Sequence, residues 1–280
     1  MMLALRSLLF VPLSKPERVA KATESAADGV ILDLEDGVAP GDKEMARAAI
    51  GTALSRLGQK KSFVGLRINR FESGGMADLE AIPPGAGVTL VLPKVTSAPD
   101  LVAYARASDP RLPLLPLIEC PTGVFECRTI VAAHARISGV AFGSEDFAAA
   151  AGIEPNPETL SLPGQMVALA AASCGLPAFG LLGSLANYRD MARFQAEAAL
   201  TKRLGFHGAL TIHPAQVDVA NAVFAPTPET ISWAETVLTE AGEGGARASQ
   251  LGMIDAPVVR RAEAILARAR GKGKSVGNDC

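Results

Sequence analysis

The feature that most constrains this chain is a repeated unit: a short apolar run that stops on charged or polar residues, followed by a stretch with helical spacing. It is clearest at Leu115-Pro-Leu-Ile-Glu119-Cys-Pro-Thr-Gly123, where a run short enough for a buried strand ends in a carboxylate and Pro-Thr-Gly opens an amphipathic helix. The same grammar recurs at Gly29-Val-Ile-Leu-Asp33-Leu-Glu35-Asp36, at Val64-Gly-Leu-Arg67-Ile-Asn69, at Thr89-Leu-Val-Leu-Pro93-Lys94 and at Ser138-Gly-Val-Ala-Phe-Gly-Ser-Glu145-Asp146. In a barrel of parallel strands such ends converge on one face, which is where active sites sit.

Taken in order, the pattern predicts strands over residues 6–11, 30–34, 63–68, 88–92, 112–118, 137–142, 178–182 and 207–212. Helical stretches lie between them over 16–26, 42–57, 74–82, 98–107, 123–134, 145–151 with 162–173, and 188–204, and Pro214 opens another. Strands alternating with helices to a count of eight describe an α/β fold, a closed (β/α)8 TIM barrel. The competing open doubly wound sheet usually carries a Gly-rich turn after its first strand, where this chain has Pro12-Leu-Ser-Lys-Pro16. The barrel is expected over residues 1–225. A C-terminal helical extension follows over 226–270, placed to act as a lid or as an arm onto a neighbouring subunit, with a flexible Glu243-Gly-Gly-Ala-Arg segment and a frayed tail over 271–280.

Charge excludes some partners. Lys and Arg total 27 against 29 Asp and Glu, so nothing attracts a phosphate backbone or anionic lipid, and neither nucleic acid nor membrane is an expected partner. The apolar N-terminus is interrupted by Arg6 and reads as a strand, not a signal peptide, and no run is long enough to span a bilayer. Cys120, Cys127, Cys174 and Cys280 show no CxxC spacing, which suits reduced thiols in a cytoplasmic protein.

Glu119 and Asp146 end adjacent predicted strands, less than about 10 Å apart at ordinary strand spacing. They read either as helix N-caps and ion-pair partners or as ligands of one hard cation, for which Mg²⁺ with its retained waters is the natural choice. The histidines, His134, His207 and His213, are too dispersed for a zinc site. Arg67 can pair with Glu35 or Asp36, bridge them to a substrate carboxylate, or do both. Lys94 has the same two readings. His213 either lines the pocket or packs, and Glu145 is expected to serve a helix start, pointing away from Asp146. Backbone N–H groups at Thr122-Gly123 are candidates for holding a carboxylate.

Together, Arg6-Ser-Leu-Leu-Phe-Val-Pro12, Asp33-Leu-Glu-Asp36, Arg67-Ile-Asn69, Leu92-Pro-Lys94, Ile118-Glu119, Phe142-Gly-Ser-Glu-Asp146, Gly205-Phe-His-Gly208 and Ile212-His-Pro-Ala-Gln216 resemble the citrate lyase beta-subunit-like CoA-ester lyases. That family sits in the superfamily of malyl-CoA lyase and the pyruvate-dependent class II aldolases. The resemblance implies a lyase that cleaves a malyl-CoA, citramalyl-CoA or citryl-CoA type thioester to acetyl-CoA and a 2-oxo acid, or runs the reverse condensation. Related readings are a citrate lyase beta subunit acting on citryl-ACP, a CoA-independent aldolase and a silent binding barrel.

It further implies that Glu119 and Asp146 hold Mg²⁺, with Mn²⁺ as a substitute, and that Arg67 contacts the reacting oxygens beside Glu35 and Asp36. Ser14, Lys15 and Lys21 are implied CoA contacts. Asp255, in Gly252-Met-Ile-Asp255-Ala-Pro-Val-Val, matches the lid acid/base that reaches a neighbouring subunit, which implies a homo-oligomer, a trimer or hexamer. Where many relatives carry acidic residues in and after strand seven, this chain reads Ala178-Phe-Gly-Leu-Leu-Gly-Ser184-Leu-Ala-Asn187.

Overall fold

The computed structural model describes residues 2–241, 247–249 and 251–270. Most of the segment expected to be flexible and the whole expected tail lie outside the described residues. The chain divides into two compact units: residues Leu5–Phe224, and a second unit joining the N-terminal four residues to those from Ala225 onward.

In the first unit the strands are β1 (Ser7–Pro12), β2 (Gly29–Asp33), β3 (Phe63–Arg67), β4 (Thr89–Leu92), β5 (Leu114–Ile118), β6 (Val140–Phe142), β7 (Ala178–Gly180) and β8 (Ala209–Thr211). The helices are α1 (Pro16–Glu24), α2 (Lys43–Ala48), α3 (Ile50–Gly58), α4 (Gly75–Glu80), α5 (Ala98–Ala107), α6 (Pro121–Val131), α7 (Ser144–Ala151), α8 (Pro157–Ser173), α9 (Met191–Arg203) and α10 (Pro214–Phe224). Every sheet pairing is parallel, each strand beside the next in sequence, and β1 also pairs with β8 through Ser7↔Ala209. The remaining seam closes with His207 N–H on the Ala178 carbonyl (2.8 Å) and Gly180 N–H on the Gly208 carbonyl (3.1 Å). The result is a (β/α)8 TIM barrel. The strands are packed by buried Leu, Ile and Val on both faces: Leu8, Ile31, Val91 and Leu117 share the inner face, and Leu66, Leu90 and Val140 the face turned to the helices.

Three departures from the sequence reading have local causes. The helix expected over 42–57 is two helices that break at Ala49. The strands expected over 178–182 and 207–212 are three residues each because side chains take the amides a ladder would use: Leu182 N–H donates to Thr201 Oγ1 (2.9 Å), and the Ile212 and His213 N–H groups both donate to Gln216 Oε1 (2.9 and 3.1 Å). The third departure is a short hairpin described below.

In the second unit, α11 (Pro228–Ala241) and α12 (Ala256–Ala269) pack around Ala234, Val237, Ile254, Ala262 and Leu266. The Arg261 guanidinium lies over Trp233, 4.7 Å from the ring centre. Between the helices stands an antiparallel hairpin, β9 (Arg247–Ser249) with β10 (Gly252–Ile254), that the sequence reading left as irregular chain. Asp255 Oδ1 accepts from Val258 N–H (3.1 Å) and caps α12 ahead of Pro257. No helix among the described residues is long and apolar enough to cross a membrane.

Candidate active site

Register builds the first half of the site. Asp33 and Arg67 are direct partners in the β2–β3 ladder, so both side chains leave the same face. Arg67 grips Asp33 with its fork, Nε to Oδ1 and Nη2 to Oδ2, each at 2.7 Å, and its Nη1 lies 3.1 Å from Glu35 Oε2. The Phe10 ring from β1 underlies the guanidinium at 4.9 Å. Burial works against this charge, but the Asp33 hydrogen bonds and the negative charges of Asp33, Glu35 and Glu119 outweigh it and raise the Arg67 pKa. The Asp33 carboxylate in turn accepts the Glu35 and Gly37 N–H groups (both 2.9 Å), and a Cβ at residue 37 would overlap Asp33 Oδ2, so the turn requires glycine.

Glu35 and Asp36 share the Lys94 ammonium, at 2.7 and 3.0 Å. Burial, assisted by the Asp36 charge, lifts the Glu35 pKa despite Arg67 and Lys94. For Asp36 burial acts the same way, but Lys94 prevails and holds the carboxyl below its usual range. Lys43 steadies the turn from its other side, donating to the Leu34 and Glu35 carbonyls (2.6 and 2.7 Å) and to Asn69 Oδ1 (2.8 Å).

The second half stands at the ends of β5 and β6. Glu119 is 2% exposed, and its Oε1 accepts the Lys94 N–H at 2.8 Å. Burial pushes its pKa up to about 8; Arg67 opposes the rise and the Asp146 charge adds to it. Gly143 makes room for this carboxylate, since a Cβ there would lie 2.6 Å from Glu119 Oε2. Next along the chain, Ser144 Oγ is buried without a hydrogen-bond partner among the described residues. A buried carboxylate that resists ionising, a second carboxylate acting on it, and an orphaned hydroxyl form an all-oxygen donor set, which fits a hard divalent cation. No cluster of three or more His, Cys, Asp or Glu among the described residues could hold a metal by itself, so waters or substrate oxygens would complete the shell.

Both halves face one cleft of about 750 Å³ at the C-terminal mouth of the barrel. Arg67, Asp33, Asp36, Glu119, Ser144 and Asp146 all line it. Lys21 lines it too, beside Arg18, whereas Ser14 is buried and Lys15 is exposed at the start of α1, and neither reaches its wall. His213 is exposed there and stacks on Tyr188 with ring centres 4.8 Å apart. Asp255 belongs to the second unit.

Glu145 stands in the first turn of α7, as expected for a helix start, and its Oε1 also accepts Ser184 Oγ–H (2.6 Å) and Ala186 N–H (3.2 Å), fastening the loop that follows β7. One expectation is corrected. The Gly123 N–H is not offered to a ligand. It donates to Cys120 Sγ (3.4 Å), which caps α6, and a Cβ at residue 123 would stand 2.7 Å from the Val95 carbonyl oxygen.

Sequence reasoning gave no site role to Asp33, Phe10 or Ser144. The signal for Asp33 was its ladder register with Arg67, which needs the pairing of strands 34 residues apart. Ser144 offered no signal, since an orphaned hydroxyl is defined only by its surroundings.

Comparison with known proteins finds relatives along most of the chain. The model of the HpcH/HpaI aldolase/citrate lyase family matches residues 6–214. The chain is 34% identical over 266 residues to a (3S)-malyl-CoA thioesterase of Cereibacter sphaeroides, covering 94% of this chain and 92% of that protein. It is 34% identical over 288 residues to the citrate lyase subunit beta of Escherichia coli, covering 96% and 94%. Among solved structures, CitE from Mycobacterium tuberculosis in complex with magnesium, acetoacetate and coenzyme A superimposes with a TM-score of 0.77 at 33% identity, over 95% of this chain and 98% of that one. A barrel closed in this strand order, acidic and basic strand ends gathered at one mouth, and a match across most of the first unit lead to one conclusion: the chain belongs to the HpcH/HpaI aldolase/citrate lyase family.

Proposed function

We propose that the protein is a Mg²⁺-dependent carbon–carbon lyase. Its substrate is a CoA thioester with a hydroxyl and a carboxylate on the carbon β to the thioester carbonyl, of the malyl-CoA, citramalyl-CoA or citryl-CoA type. The products are acetyl-CoA and a 2-oxo acid, and the reverse condensation uses the same groups. The observation that carries this reading is the convergence of Arg67, Glu119 and Asp146 on one cleft.

Glu119 and Asp146 would hold the cation, which when bound supplies Lewis acidity to the oxygens of the departing 2-oxo acid. Arg67, locked on Asp33, presents its remaining donor edge to the hydroxyl oxygen as it becomes a carbonyl. The start of α7 suits the substrate carboxylate, because unsatisfied N–H groups and the helix dipole favour an anion there. The hydroxyl proton passes to the ionised Asp36 carboxylate at the cleft wall, the carbonyl forms as the adjacent C–C bond breaks, and that bond's electrons pass to the thioester enolate. Asp255, reaching from a neighbouring subunit, then protonates the enolate carbon. Lys21 and Arg18, at the cleft wall, suit the CoA phosphates.

Incubating the protein with malyl-CoA, citramalyl-CoA and citryl-CoA and Mg²⁺ tests the reading. Acetyl-CoA should appear in step with glyoxylate, pyruvate or oxaloacetate. The malyl-CoA thioesterase relative favours a second reading, thioester hydrolysis, which would release free CoA and an intact hydroxy acid with no 2-oxo acid. Absence of both product sets overturns both readings.

Arg67→Lys is expected to cost well over tenfold in turnover, about 2–4 kcal/mol in barrier, because an ammonium keeps the charge but cannot grip Asp33 and face substrate together. Steady-state kinetics with unchanged Mg²⁺ affinity would place the loss at the reacting oxygens. A silent substitution would reduce Arg67 to an ion-pair partner of Asp33.

A further inference from the structure

Lys94 is, among the described residues, the one residue other than glycine with a positive φ, +51°. A side chain there crowds the backbone, so the position favours Gly or Asn. The consequence lies in where its amide points. In an extended strand successive N–H groups alternate in direction, yet after β4 the Lys94 N–H donates to Glu119 Oε1 (2.8 Å) and the very next one, Val95 N–H, donates to the Leu117 carbonyl (3.3 Å). Both therefore aim at the same neighbouring segment, the end of β5, and the left-handed turn at Lys94 permits it.

Glycine would adopt this turn at no steric cost, but it has no ammonium. The Lys94 Nζ bonds Glu35 Oε1 at 2.7 Å and Asp36 Oδ2 at 3.0 Å, and Glu35 is itself 3.1 Å from Arg67 Nη1. One residue thus ties the Arg67 half of the site to the Glu119 half, through its side chain on one and its backbone on the other.

We propose that Lys94 is the positioning residue for Glu119: its left-handed backbone fixes the carboxylate by one N–H, and its ammonium, anchored on Glu35 and Asp36, holds that backbone in place. The inference rests on the proposed role of Glu119 as a cation ligand. Lys94→Gly, Lys94→Asn, Lys94→Ala and Lys94→Val all remove the ammonium and differ in how well they accept a positive φ. Mg²⁺ affinity is read by calorimetry without substrate, and thermal unfolding by circular dichroism verifies that each variant is folded at the assay temperature. Affinity should follow backbone tolerance and not side-chain size, with Gly and Asn binding best, Ala less well, and Val about tenfold or more weaker than Gly. Should the Val variant fail to fold, the order of Asn above Ala carries the test, since size alone predicts the reverse. Equal affinities across the folded variants, or an order that follows size, overturn the inference while leaving the metal centre standing. Failure of the wild-type protein to bind Mg²⁺ overturns both.

Discussion

Glu119→Gln is expected to abolish Mg²⁺ binding and to lower turnover by on the order of 10³ or more, with the barrel intact. The amide is isosteric and can still accept the Lys94 N–H, so packing at the end of β5 is kept and only the ligand charge is lost. The metal-free protein adds a second signature. With a folded-state pKa of about 8 against an ordinary 4.5, Glu119 keeps its proton in the folded chain at pH values where the unfolded chain has released it. Stability from this group is therefore full below about 4.5 and falls as pH rises towards 8, by on the order of a few kcal/mol across the window. Denaturant titrations without metal should show that decline in the wild type and lose it in Glu119→Gln, while saturating Mg²⁺ should offset it in the wild type alone. Retained Mg²⁺ binding and turnover in the variant would remove Glu119 from the site.

Asp255→Asn is expected to cost 10² to 10⁴ in turnover, roughly what a lost general acid costs. The substitution separates the proposed acid role from the helix cap. Asp255 caps α12 by accepting the Val258 N–H, and Asn caps as well as Asp, so the helix and its packing on α11 should survive unchanged. Mg²⁺ and thioester binding should be unaffected, placing the loss in the chemical step; binding assays beside single-turnover kinetics read this directly. If the acid serves a neighbouring subunit, mixing inactive Asp255→Ala with inactive Glu119→Ala should restore part of the activity once subunits exchange. Full turnover in Asp255→Asn would leave the residue a helix cap and nothing more.

The barrel was legible because a charge is costly to bury among apolar side chains without a partner, so Asp33, Arg67, Glu119 and Asp146 at the ends of apolar runs announce strand ends and, collectively, one face. Strand lengths were not legible. Whether Leu182 or Ile212 continues a strand depends on Thr201 and Gln216, side chains from following helices that capture the amides, and no local pattern encodes that competition. The β9–β10 hairpin escaped because three-residue strands are too short for a period to register. For the site, residue types sufficed to nominate Arg67 and the carboxylates. Which of Asp33, Glu35 and Asp36 takes the guanidinium fork followed only from register across β2 and β3. The second function of Lys94 resides in its backbone, where sequence is silent.

The pairing of β1 with β8 has a consequence during synthesis. Leu8 and Leu9 must find Leu210 and Thr211, and Ser7 Oγ reaches Asn221 Oδ1 at 2.8 Å across 214 positions of chain. While the ribosome is still making the last quarter of the barrel, one side of β1 has no strand to pair with, and its apolar edge is open to other nascent chains. Folding of the first unit can finish only when the polypeptide has emerged past α10. A truncation before that point should therefore yield a chaperone-bound or aggregating species, not a smaller barrel.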